Sequence, residues 1–282
     1  MEITTAAIRP ATRTRRGFDW LLLYVILFLA FLYIPSVMLP VFSFNDSIQM
    51  VLPLKDFTLK WYAALADHDG LHGALVNSLK VALPVATTTT VLATFAGKAL
   101  TRYRMPGRSV VIGFILIPMV MPGIILAVGL LVLALAVGMP LSLWAVGVAH
   151  VVTTLPFATL IVMARLEGFS KNIEEASRDL GMGGFMTFWR VTFPLILPAI
   201  LASFLLTFTA SFDEFLFAFF LGGNQVTLPV FIWTQVRFPQ TLPSVLALGA
   251  LIFMVSIILI VTAEILRRSG DRHIVTPAGG HP

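Results

Sequence analysis

Between Ser109 and Ala164 the chain runs for 56 residues without one Asp, Glu, Lys or Arg. An α-helix rises about 1.5 Å per residue and a bilayer's hydrocarbon core is about 30 Å thick, so one crossing takes about 20 residues. The run is too long for one crossing and about right for two. Gly138-Met139-Pro140 supplies the break, since glycine and proline both disfavour continued helix. The expectation is a tight helical hairpin in lipid.

The flanking sequence extends that reading. Only 12% of the chain is charged and 58% is hydrophobic, about half the charge of an ordinary soluble domain. Apolar runs predict six crossings, at about 19–42, 75–97, 109–136, 142–164, 196–220 and 244–266. The expected fold is therefore an all-α, polytopic membrane protein. A basic arm (1–17) precedes a six-helix domain (18–266), and a tail (267–282) follows it. The first apolar stretch, Phe18 to Phe44, is too long for a signal peptide's apolar core and no small-residue cleavage site follows it, so it reads as a retained span.

Net charge is +5, which could suggest nucleic acid, but the basic residues are set between apolar runs. Fifteen of the nineteen lysines and arginines fall in the N-terminal arm, the 98–108 segment, the 165–195 segment and the tail; Lys55, Lys60, Lys80 and Arg237 fall on the other side. The positive-inside rule then puts both termini and the 165–195 loop in the cytoplasm. Cysteine is absent, which excludes disulfides and thiolate chemistry. Spans 2 to 6 are rich in Gly, Ala, Ser and Thr, residues that let membrane helices approach closely. Pro84, Pro118, Pro122 and Pro156 read as ordinary kinks or as hinges for alternating access.

The 165–195 loop is the most informative segment. Asn172 suits a helix N-cap, and Glu175 three residues on completes a capping-box-like pattern. Glu174 and Glu175 sit in the first turn, where the helix dipole favours anions. Glu174 and Arg178 have the favourable i,i+4 spacing. Gly181 stands where a C-terminal cap belongs. A short helix over 173–180 is predicted, then a second over about 184–190 carrying Phe185, Phe188 and Trp189. Those aromatics suit packing on the protein's own helix ends, a place at the lipid interface, or a knob for another protein.

Glu175-Ala176-Ser177, Gly181 after three residues and Val191-Thr192-Phe193-Pro194 after nine more resemble the EAA signature of permease subunits of type I ABC importers. The usual form has alanine, isoleucine and leucine where this chain has Ser177, Val191 and Phe193; the spacing is kept. The resemblance implies that this loop is the helix that docks on a separate ATPase subunit. Glu175, Ala176 and Gly181 would lie at that contact, with Glu174, Phe185 and Phe188 beside them.

Phe44-Asn45, Phe57 to Tyr62, Asn77-Ser78 and Ser211-Phe212-Asp213-Glu214-Phe215 further resemble spermidine/putrescine-type permeases. The family resemblance covers about residues 20–266. It implies two ATPase subunits that bind ATP and magnesium, a second permease subunit, a periplasmic solute-binding protein, and a place in the bacterial inner membrane.

Asp213 and Glu214 interrupt an apolar stretch bounded by Arg190 and Arg237. Intramembrane carboxylates are costly and default to a functional reading. About 18 residues into span 5 they lie in its outer half, roughly 27 Å along the axis. They could attract a cationic cargo, pair with Lys80 or Arg237, or be solvated at the interface. Trp233, with Phe231 and Gln235 nearby, suits an aromatic belt, a gate at the pore mouth, or contact with a docked receptor. Asp46, Asp56, Asp67, Asp69, His68 and His72 read as a solvated acidic loop rather than a metal site.

The phosphate loop Gly-x4-Gly-Lys-Ser/Thr is absent, and Gly97-Lys98-Ala99 lacks its first glycine and its hydroxyl. Any ATP hydrolysis therefore falls to partner chains. The alternative is a secondary transporter in which Asp213 or Glu214 relays protons. No inverted repeat supports it, and it leaves the loop signature without a purpose. A membrane-bound enzyme or channel has no supporting motif.

Overall fold

The computed structural model describes residues 20–271, and every extended element among them is helical. In chain order these are α1 (Trp20–Ser43), α2 (Lys60–Ala66), α3 (Asp69–Arg102), α4 (Arg108–Val120), α5 (Gly123–Ala136) and α6 (Leu143–Glu167). Then come α7 (Asn172–Asp179), α8 (Gly184–Thr187), a π-helical turn (Phe188–Thr192), α9 (Phe193–Phe212), α10 (Leu216–Leu221), α11 (Leu228–Val236) and α12 (Leu242–Asp271). The basic arm and the tail beyond residue 271 lie outside the described residues.

Two compact units result. One runs Ala64–Leu242; the other joins the described residues up to Ala63 with those from Pro243 to Asp271. In the second unit, α1 is followed by a loop that folds back on itself. Asn45 pairs with Phe57 in an isolated antiparallel bridge, and its side chain accepts from the Lys55 amide at 2.9 Å. Trp61 Nε1 donates to the Asn45 carbonyl at 2.9 Å. Phe44 stacks on Phe57 at 4.8 Å. Lys60 pairs with Asp46.

The Ala64–Leu242 unit is built on α3, α6 and α9, which pack on one another more extensively than any other pair of elements. Their shared faces carry small residues at helical spacing. Ala82, Ala86, Thr89, Ala93 and Gly97 come from α3, Ala149, Thr154, Ala158 and Val162 from α6, and Ala199, Ser203, Thr207 and Ser211 from α9. Without a hydrophobic drive in lipid, close van der Waals approach holds such helices together. At Gly97 a β-carbon would lie 3.0 Å from Val162 Cγ1, so glycine sets the α3–α6 distance there. Thr89 and Thr154 hydroxyls meet across the same seam at 3.2 Å.

Among the described residues, four helices are long and apolar enough to cross a membrane: α1, α3, α6 and the continuous helix Gly184–Phe212. The expected third crossing, 109–136, is not one helix. It is α4 and α5, bent by 103° about a short break. At 13 and 14 residues each half reaches only about 20 Å. Pro122 forces the bend: Met121 before it is held extended, at φ −76° and ψ 137°, as a residue preceding proline prefers. The sixth expected span falls within α12. The hairpin turn lies where the glycine and proline placed it, with Gly138 at φ +70° between α5 and α6.

Span 5 differs as well. A separate 184–190 helix was expected, yet the chain continues from Gly184 through the π-turn into α9 without a break. In the π-turn the Phe193 amide reaches back to the Phe188 carbonyl. An α-helix would drive the Pro194 ring into the carbonyl four residues earlier; the wider π-turn takes up that clash. The helix then ends at Phe212, so Asp213 and Glu214 sit in a break before α10 rather than within a span reaching residue 220.

Candidate functional site

At the end of the unit where the 98–108 and 165–195 segments meet, α7 is bolted to the core through one buried carboxylate. Arg102 Nε donates to Glu174 Oε1 at 3.1 Å, with the two side chains 5% and 4% exposed. Arg102 Nη2 also donates to the carbonyls of Leu166 at 2.8 Å and Phe169 at 3.3 Å. Thr192 Oγ1, in the π-turn, donates to the same Glu174 oxygen at 3.0 Å. One side chain of α7 thus ties together the ends of α3, α6 and the helix leading into α9. A second tie joins Ser177 to Thr187 at 3.0 Å.

The expected local pairing of Glu174 with Arg178 is replaced by this long-range one. Asn172 is not the cap either: it is the first helical residue, and its amide donates to Ser170 Oγ at 3.2 Å. The C-terminal expectation holds. Gly181 has φ +87°; its amide donates to Arg178 O at 2.9 Å, and Met182 donates to Ser177 O at 3.2 Å. That paired closure satisfies the last turn's carbonyls and needs a residue free to adopt left-handed backbone.

Of the predicted coupling residues, Glu175, Ala176, Gly181 and Phe185 are exposed, whereas Glu174 and Phe188 are buried within the chain. Phe188 packs on Phe193 at 6.1 Å, with Lys98 Nζ 4.2 Å above its ring. Leu180 is 84% exposed and Phe185 79%, so α7, the Gly181 turn and α8 present an uncovered apolar surface beside a rigid mount. A β-carbon at position 181 has no atom within 4 Å, so the left-handed backbone alone makes Gly181→Val unfavourable, by about 1–2 kcal/mol. If this loop docks on a separate ATPase subunit as expected, recovery of that subunit with a tagged Gly181→Val chain should drop roughly 5- to 30-fold. Gly181→Asn, which tolerates that backbone, should be milder; equal losses would show that bulk and not conformation matters there.

A second constellation surrounds the α9–α10 break. Asp213 is exposed, and no cation among the described residues lies within ion-pair distance of it. Glu214 turns inward. It accepts from the amides of Leu216 at 2.9 Å and Phe217 at 2.8 Å, capping α10. Its Oε2 lies 3.3 Å from His150 Nε2. The expected partners, Lys80 and Arg237, make no ion pair with either carboxylate. Arg237 instead lies 5.8 Å over the Trp233 ring, and Trp233 packs on Phe215 at 5.4 Å. The three residues of the break thus diverge: one carboxylate outward, one onto α6, and one ring onto α11.

Asn77 and Ser78 hold the adjoining loop. Asn77 Nδ2 donates to Val226 O at 2.9 Å, and the Leu228 amide donates to Ser78 Oγ at 2.9 Å. His68 Nδ1 accepts from the Leu71 amide at 3.3 Å and so caps α3. Among the described residues no group of three His, Asp or Glu is placed to hold a metal ion. Arg102 and His150 were not singled out from sequence, and Thr192 entered only as one position of the signature. His150 alone had a signal: it is the one ionisable side chain in the 56-residue charge-free run.

Residues 89–271 match the family described as binding-protein-dependent transport system inner membrane component. The chain is 34% identical over 240 residues to the spermidine/putrescine transport system permease protein PotC of Escherichia coli K12, covering 85% of this chain and 90% of that one. It is 35% identical over 243 residues to the protein of the same name from Haemophilus influenzae, covering 86% and 94%. It is 34% identical to the putrescine transport system permease protein PotI of Escherichia coli K12, covering 83% and 85%. Among solved structures, it superposes on a chain of a bacterial ABC transporter involved in the import of the acidic polysaccharide alginate, with a TM-score of 0.63, 16% identity, and coverage of 88% and 94%. That likeness is one of fold.

Proposed function

This chain belongs to the family of binding-protein-dependent transport system inner membrane components, and we propose that its cargo is a polyamine of the spermidine or putrescine class. The chain is the membrane permease subunit of an ABC importer. In our reading it crosses the bacterial inner membrane six times, with both termini and the 165–195 loop in the cytoplasm. It works beside a second, different permease subunit, two ATPase subunits that bind ATP and magnesium, and a periplasmic solute-binding protein.

The observation that carries the cargo assignment is the carboxylate pair at the α9–α10 break. Asp213 is open, and Glu214 is beside it with Trp233 one ring away. An open carboxylate at a helix end attracts ammonium groups, and aromatic faces add to that attraction. Glu175, Ala176, Gly181 and Phe185 would meet the ATPase, while Glu174 and Phe188 hold them in place. Closure of the ATPase pair would push α7, and the Glu174 tie would pass that displacement to α3, α6 and α9 as one body.

Uptake by proteoliposomes containing the full complex tests this. Labelled spermidine is expected to accumulate in vesicles that carry the ATPase face and ATP inside and the solute-binding protein outside, and not with a proton gradient alone. Accumulation driven by the gradient without ATP would instead favour a secondary transporter relaying protons through Asp213 or Glu214. ATP-driven uptake of a different solute, with no competition from spermidine or putrescine, would overturn the cargo assignment alone.

A further inference from the structure

His150 has no part in the reading above, yet it is the most enclosed ionisable side chain at the break. It is 1% exposed, in the first third of α6. Its Nδ1 is 2.7 Å from Ser211 Oγ on α9. Its Nε2 is shut off from solvent and makes no aligned hydrogen bond, although Glu214 Oε2 is only 3.3 Å away. The edge of its ring meets Phe217 of α10, at 6.1 Å between centroids. Three elements therefore converge on one imidazole.

The neighbours set its tautomer. Ser211 can donate its hydroxyl proton to Nδ1, which leaves Nε2 carrying the hydrogen and facing the carboxylate. A buried N–H without an acceptor is unfavourable, and the single acceptor at hand is Glu214. A small rotation of either side chain turns the 3.3 Å approach into a charge-assisted hydrogen bond.

We propose that His150 is a positioning residue for the translocation path: its Nε2–H keeps the Glu214 carboxylate turned toward α6, so that the break presents Asp213 and withholds Glu214. The contact is a latch between α6 and the α9–α10 break. A cationic cargo that engages Glu214 must take it from His150, which couples cargo passage to movement of α10 against α6. This rests on the carboxylate pair's being the cargo site, as proposed above.

Two substitutions separate the two nitrogens. His150→Gln keeps an amide nitrogen near the Nε2 position; His150→Asn keeps one near Nδ1 alone. In proteoliposome uptake of spermidine, His150→Asn is expected to lower the maximal rate about tenfold or more, as the loss of a hydrogen bond to a charged group implies. His150→Gln should stay within about threefold of the unaltered chain. Adding His150→Asn to Glu214→Gln should cost nothing beyond Glu214→Gln alone, because the pair acts as one unit.

A second measurement needs no cargo. The chain has no cysteine, so Ala218→Cys, at a buried α10 site, gives it a single thiol. Labelling by a water-soluble thiol reagent is expected to run about tenfold faster with His150→Asn than with His150 or His150→Gln. Indistinguishable labelling for the Asn and Gln variants, or additive losses in the double variant, would overturn the latch. If spermidine is not taken up even by the unaltered chain, the cargo assignment falls, and the labelling rates alone decide the latch.

Discussion

Glu174→Ala is expected to remove ATP-driven uptake and to lower the stability of the unit by about 3–5 kcal/mol, because it leaves a buried guanidinium without its counter-ion. Arg102 is almost fully enclosed and, once the carboxylate is gone, keeps only the carbonyls of Leu166 and Phe169 and the Phe169 ring, 4.5 Å away, as partners. Thr192, buried in the π-turn, loses its acceptor at the same time. The loss should be read as a drop in the melting temperature of the detergent-solubilised complex and as ATP hydrolysis that no longer depends on cargo. Replacing both partners with apolar residues, Arg102→Met with Glu174→Leu, should recover part of the stability, since the cost of an unpaired buried charge disappears. Recovery is incomplete because the Leu166 and Phe169 carbonyls then lack a donor. Transport should not recover with it, because the apolar pair no longer fastens α7 to Thr192. If the double variant transports normally, α7 is held by something other than this tie.

The sequence carried the local features well. Gly138 with Pro140 marked the hairpin, and Gly181 marked the end of α7, because each is a backbone requirement that few residues can meet. The long-range features were not legible. Glu174 and Arg178 have a favourable spacing, but spacing states only which neighbours are available; a buried arginine 72 positions earlier offers a desolvated, better-aligned partner. Hydropathy showed that 109–136 is apolar, yet it carries no direction, so one crossing and two short helices at 103° look alike. The 184–190 segment looked like a helix of its own, and the chain instead runs through a π-turn past Pro194 into α9. Asp213 and Glu214 looked like neighbours on a helix, about 100° apart. The helix stops at Phe212, so a backbone break rather than helical geometry sends them different ways.

That divergence makes the two carboxylates unequal, and Asp213→Asn shows it. Asp213 has no ion-pair partner among the described residues, and the side chain that caps α10 is Glu214. Its replacement should leave assembly and melting temperature unchanged. Glu214→Gln, by contrast, weakens the cap on α10 and the contact with His150, and so should lower both stability and transport. Two charges about 4 Å apart attract by about 1 kcal/mol in bulk water and about 4 kcal/mol near a protein surface. An exposed carboxylate at a helix break lies between these limits, so on the proposed cargo assignment losing the Asp213 charge should slow polyamine uptake by roughly 5- to 150-fold. The attraction scales with cargo charge, so a triamine should lose more than a diamine. It is also screened, so the gap between the unaltered chain and Asp213→Asn should narrow as ionic strength rises past about 0.15 M. Equal losses for spermidine and putrescine, unaffected by salt, would mean that Asp213 acts through shape or hydrogen bonding, and the electrostatic account of the pore mouth would have to be given up.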